Sequence, residues 1–148
     1  MPLKEYFPNA EDKVAQIKSF GKQYGVTINH ITNIPNSNKA LQVAEYASEI
    51  GKSEAYTKAM YRAVFEEDIN ISLIAEIKRI ALEADITGEE VDQVLSATKY
   101  SDILEMNKEF CRANNITSVP TFIINDQVAI VGAQSVENFE AAFEQLKK

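Results

Sequence analysis

The stretch Ile116-Thr117-Ser118-Val119-Pro120-Thr121-Phe122-Ile123-Ile124-Asn125-Asp126-Gln127-Val128-Ala129-Ile130-Val131-Gly132 decides the fold class. Residues 121–124 are apolar or β-branched, Asn125-Asp126 is a pair that tolerates positive φ, and 127–131 turns apolar again before Gly132. That order predicts two strands joined by a two-residue hairpin. Pro120 stands at the entrance to the first strand, where a missing N–H is tolerated.

Downstream, Ser135 is placed to cap a last helix whose Val136, Phe139, Phe143 and Leu146 fall on one face. The C-terminal third therefore reads strand, strand, helix.

Upstream, the apolar period changes from two to between three and four, and the chain reads as helix almost throughout. Val14, Ile17, Phe20 and Tyr24 predict a helix over 10–24, with Asn9 and Asp12 near its start and Gly25 as its stop. Residues 26–31 read as a short strand or extended segment, followed by a turn through Asn33, Pro35, Asn36, Ser37 and Asn38 that offers a cap. Two helices follow, over 39–50 and around Tyr56, Ala59, Met60, Ala63 and Val64, separated by Gly51. Ile71, Ile74, Ile77, Ile80 and Ala81 make a stripe for another, and Thr87 with Glu90 makes a capping box ahead of Val91, Val94 and Leu95. Residues 101–114 form the last of the series, ended by Asn114-Asn115.

The composition excludes several functions. At 148 residues, 45% apolar and 25% charged, the chain suits one hydrophobic core. A net charge of -7 argues against nucleic-acid binding, since a phosphate backbone recruits clustered Lys and Arg. No apolar run approaches the roughly 18 residues of a membrane span, and 1–10 has none of the length a secretion signal needs, so a cytoplasmic protein is expected. One cysteine, Cys111, and one histidine, His30, make neither an internal disulfide nor a metal cluster. No metal and no cofactor are expected.

The segment 116–125, followed by Val131-Gly132-Ala133-Gln134, resembles the cis-proline loop, hairpin and G-A-Q turn of DsbA-like thioredoxin-fold proteins. Ile34-Pro35-Asn36-Ser37, Ala44-Glu45-Tyr46-Ala47 and Gly51-Lys52 extend the likeness upstream, and the cytosolic polyketide-biosynthesis disulfide isomerases are the branch it resembles most. One departure is mild: members often carry a histidine where Leu41 stands. The other is severe, because the family's first strand, its C-x-x-C pair and a second strand precede everything found in this sequence.

The resemblance implies an α/β, thioredoxin-like fold of the DsbA type that is mostly helical and N-terminally incomplete. One domain over 1–148 is expected, with a helical insertion over about 36–115 and a strand-strand-helix half over about 116–148. It implies a thiol-disulfide oxidoreductase or isomerase relative that is inactive alone. One thiolate must attack a disulfide and a second must resolve the mixed disulfide. No catalytic residue is assigned. Val119, Pro120 and Thr121 are the expected substrate-binding residues, because the residue before the proline presents backbone groups to an extended peptide. The implied partners are a protein or peptide thiol or disulfide, glutathione among the alternatives, with neither nucleic acid nor membrane. Strands left without parallel neighbours expose an edge, so a homodimer is a further expectation. Two other readings stand beside this one: a relative of 2-hydroxychromene-2-carboxylate isomerases and kappa-type glutathione transferases, and a non-catalytic peptide-binding or assembly module.

Other residues that invite a chemical role have plainer readings. Cys111 shares a helical face with Met106 and Phe110 and reads as an inert, buried small hydrophobe. His30 lies in a polar stretch without a nucleophile pattern, and Glu66, Glu67, Asp68, Glu89 and Glu90 read as solvated helix ends or caps. The dispersed tyrosines fit core-edge packing.

Overall fold

The computed structural model describes residues 3–6, 9–29 and 31–146. His30 and the terminal pair Lys147 and Lys148 lie outside the described residues, as does the side chain of Tyr6. Helices α1 (Leu3–Tyr6), α2 (Ala10–Lys22), α3 (Asn38–Glu49), α4 (Ser53–Phe65), α5 (Ile74–Leu82), α6 (Gly88–Ser96) and α7 (Lys99–Ala113) precede strands β1 (Thr121–Ile124) and β2 (Val128–Val131) and helix α8 (Val136–Leu146). The chain forms two compact units, Met1–Leu104 and Glu105–Lys148.

The first unit owes its core to the faces of α3 to α6. Val43 and Ala47 of α3, Tyr56 of α4, Ile77 and Ile80 of α5 and Val91 of α6 are all essentially without solvent contact. The isoleucine stripe of α5 is a poor helix former by propensity, so burial rather than local preference holds it helical. Ile74 and Leu82, at the ends of that helix, remain exposed.

The helix ends repeat one device. After α3 the Lys52 N–H donates to Ala47 O and the Gly51 N–H to Ser48 O, with Gly51 at φ +74. The same pair of bonds closes α5, from Ile86 to Ala81 and Asp85 to Leu82, and closes α7, from Ile116 to Cys111 and Asn115 to Arg112. Asp85 (φ 55) and Asn115 (φ 54) there occupy the left-handed position that glycine usually takes.

At the helix starts the side chains divide differently from the expectation. Thr87 and Glu90 make the full capping box of α6. Neither Asn9 nor Ser37 caps through its side chain; Asn36 Oδ1 instead accepts the Asn38 N–H at 2.9 Å. Residues 26–29 form neither helix nor strand. Asn29 is tied to the end of α4 by its N–H to Phe65 O at 2.8 Å and its Nδ2 to Glu66 O at 2.9 Å. Thr32 donates its N–H to Asp68 Oδ1 at 3.1 Å, and Glu67 pairs with Arg62 and Arg79. The acidic turn after α4 thus has partners within the chain, more than a solvated end would have.

In the second unit β1 and β2 pair antiparallel, Thr121 opposite Val131 and Ile124 opposite Val128. Asn125 (φ 50) and Asp126 (φ 55) make the tight turn, closed by Gln127 N–H to Ile124 O at 3.1 Å. The ladder resumes only at Val128, so Gln127 is an extra residue and the connection is one longer than the two-residue hairpin expected. Helix α8 packs on this ribbon through Phe139, whose ring meets Phe122 edge-on at 5.0 Å, and through buried Ala142.

Candidate functional site

The loop from Ser118 to Thr121 is held from both sides by the strands that follow it. The Gly132 N–H, at the end of β2, donates to Pro120 O at 2.8 Å, and Thr121 Oγ1 donates to Ser118 O at 2.8 Å. Gly132 can do so because its φ of +83 turns the backbone sharply after the strand. Gln134 then braces the turn: its Nε2 donates to Val131 O at 2.9 Å, and its Oε1 accepts from Asn138 Nδ2 of α8 at 2.9 Å.

This bracing leaves Val119 90% exposed, the highest value among the large hydrophobic side chains of the described residues. Pro120 beside it is exposed and Thr121 half-buried, and the Val119–Pro120 peptide is cis. An apolar side chain presented to water on a fixed backbone is what a surface for an extended polypeptide needs: main-chain groups to pair and a side chain to cover. Val119, Pro120 and Thr121 therefore sit together at the mouth of β1. The sequence marks Gly132 as the end of the second strand and Gly132-Ala133-Gln134 as a turn, but not the bonds by which Gly132 and Gln134 fix the loop.

Cys111 departs from its expected burial. It is half-buried, and its neighbours on the same face, Met106 and Phe110, are 61% and 55% exposed. The apolar face of that end of α7 is uncovered, so it does not enclose the thiol as a core would. Among the described residues no group of three His, Cys, Asp or Glu side chains is arranged to hold a metal ion, and no helix is long and apolar enough to cross a membrane.

The DSBA-like thioredoxin domain model matches residues 2–144. The chain belongs to that family. An uncharacterized protein of Bacillus subtilis (strain 168), YwbO, is 33% identical over 137 residues, which are 89% of this chain and 68% of that protein. Among solved structures, the probable DsbA oxidoreductase SCO1869 from Streptomyces coelicolor superposes with a TM-score of 0.87 at 21% identity, over 98% of this chain and 67% of that one. The DsbA-like thioredoxin fold, mostly helical with a small sheet, is thereby established for this chain, which spans about two thirds of the length of each relative.

Proposed function

We propose that this chain is the substrate-holding part of a thiol-disulfide oxidoreductase or isomerase, receiving an extended polypeptide at Val119, Pro120 and Thr121. The observation that carries the reading is the exposed Val119 on a loop whose carbonyl at Pro120 is tied to the Gly132 N–H. Membership in the DsbA-like family supports thiol-disulfide chemistry as the setting. A segment lying against β1 would pair with the strand's main chain and cover Val119 and Phe122, both open to solvent.

Turnover asks for more than these residues contain. Exchange requires an attacking thiolate and a resolving one, and the 148 residues hold one thiol, on α7. In this reading the reacting sulfurs belong to another segment or another molecule, and the chain alone binds without turning over. The exposed apolar side chains of the second unit, Phe122, Ile123, Val131 and Phe143 among them, favour pairing with a further protein surface, a second copy included.

Insulin-disulfide reduction by dithiothreitol tests the turnover half, with the wild type beside Cys111→Ser and the intact mass in solution measured on the same samples. Rates equal to dithiothreitol alone for both proteins agree with the proposal. Acceleration that disappears in Cys111→Ser contradicts it and makes Cys111 a working nucleophile.

A further inference from the structure

The first unit contains a cavity of about 630 Å³ that the polypeptide-binding loop does not use. Its walls are Val14 and Ile17 of α2, Ala40 and Ala44 of α3, and Tyr56 and Met60 of α4, with the segment that leads into α3. The space has an origin in the sequence. Ala40 and Ala44 are one turn apart on α3, and their small side chains leave open what larger residues at the same spacing would fill. The apolar face of α2 contributes to the wall instead of packing into a core, and Ile17 is still 55% exposed.

The pocket is half-open to solvent, and its walls are overwhelmingly aliphatic and aromatic, so the water that enters finds few polar partners there. The volume falls within the roughly 300–1,000 Å³ of small-molecule sites. Walls supplied by α2, the segment before α3, α3 and α4 surround a compact molecule better than they fit a flat partner surface. Among the described residues that line the cavity, Lys13 is the one carrying a formal charge, and the chain as a whole carries -7. Lys13 already has a partner within the chain, and the rest of the described lining carries no formal charge, which favours a neutral occupant.

We propose that this cavity is a binding site for a neutral, predominantly apolar small molecule. Binding there covers Val14, Ile17 and Leu41 and ties α2 to α3 and α4.

The probe is N-phenyl-1-naphthylamine, a neutral dye that brightens on leaving water, titrated into the full chain. Ala44→Phe fills the cavity from α3. Leu41→Glu puts a carboxylate on the wall at a side chain already 48% exposed, a position that tolerates charge without loss of the fold. Phe143→Ser, on α8 of the second unit, removes an exposed aromatic that could bind dye non-specifically. The expected result is saturable binding of one dye per chain, weakened about tenfold or more by Ala44→Phe or Leu41→Glu in proteins with wild-type circular dichroism, and unchanged by Phe143→Ser. Binding that survives both wall variants, falls with Phe143→Ser, or saturates at one dye per two chains overturns the assignment.

Discussion

The Tyr46 hydroxyl donates to a Glu90 carboxylate oxygen at 2.6 Å, and the other oxygen of that carboxylate accepts the Thr87 N–H at 2.7 Å. One side chain thus closes the capping box of α6 and fastens α6 to α3. Beside it the Tyr46 ring meets Tyr100 edge-on at 5.9 Å, and the Tyr100 hydroxyl donates to Glu49, which also pairs with Lys99 at 2.6 Å. The polar seam joins three helices above the isoleucine core. Tyr46→Phe keeps the ring contact and removes only the hydroxyl, so a fall in Tm of about 3 °C with an unchanged circular dichroism spectrum is expected.

Acid sensitivity follows from the same carboxylate. The Tyr46 hydroxyl, then the Thr87 N–H and hydroxyl, hold Glu90 at about 2 in place of its ordinary 4.5. A folded pKa below the unfolded one stabilises fully above about pH 5 and is lost as pH falls through 4.5 toward 2. Urea midpoints taken across that window should fall more steeply in the wild type than in Glu90→Gln, which has no proton to take up. Parallel curves for the two proteins would exclude Glu90 as a source of the acid sensitivity.

The alkaline side has the opposite sign. The hydrogen bond to Glu90, together with desolvation, pushes the Tyr46 phenol up from 10 to about 12. Its contribution is complete below pH 10 and lost as pH rises through 12. In a titration followed at 295 nm, Tyr46→Phe should delete tyrosinate absorbance that appears above about pH 11 and none that appears near pH 10.

The helical part of the fold was largely legible, because a run such as Ile77, Ile80 and Ala81 has a helical reading and ends buried, although Ile71 falls ahead of α5 and Ile74 stays exposed. Thr87 with Glu90 was equally clear, since both halves of a capping box lie within four residues. What failed to show was anything decided by distant neighbours. Nothing in 26–31 reveals that Asn29 reaches the end of α4 or that Thr32 meets Asp68, 36 residues away. The extra residue at Gln127 was hidden too, since Asn125-Asp126 suits a two-residue turn as well as a longer connection.

Burial should therefore cost very differently in the two units. Ile77 is fully enclosed, and Ile77→Ala should lose about 3 kcal/mol by urea unfolding. Phe143 is 50% exposed, and Phe143→Ala should lose less than about 1 kcal/mol. Equal losses would mean that α8 is covered in solution by something that buries its face.

At the candidate site Val119, Pro120 and Thr121 are expected through resemblance, while the brace behind them follows only from the folded backbone. The N–H of Gly132 and the side chain of Gln134 act through carbonyl groups that no residue pattern exposes. Cys111 was misjudged for a related reason: a helical face with Phe110 and Met106 looks like core until its packing partners are known.

The brace gives a prediction of its own. Gly132→Ala meets no close atom, only Gln134 Nε2 at 3.7 Å, yet it must hold φ +83 with a Cβ. A loss of about 1 kcal/mol is expected, with weakened polypeptide binding, because the loop at Pro120 loosens. Gln134→Ala should weaken binding in the same direction without the backbone cost.

The most direct test is titration of a fluorescently labelled, unfolded polypeptide, such as reduced and alkylated insulin B chain, into the wild type and into Val119→Asp. Saturable binding without any thiol is expected, weakened about tenfold by a charge at the exposed position before Pro120. Equal binding by the two proteins, or none by the wild type, would contradict the assignment of this loop as the place where substrate is held.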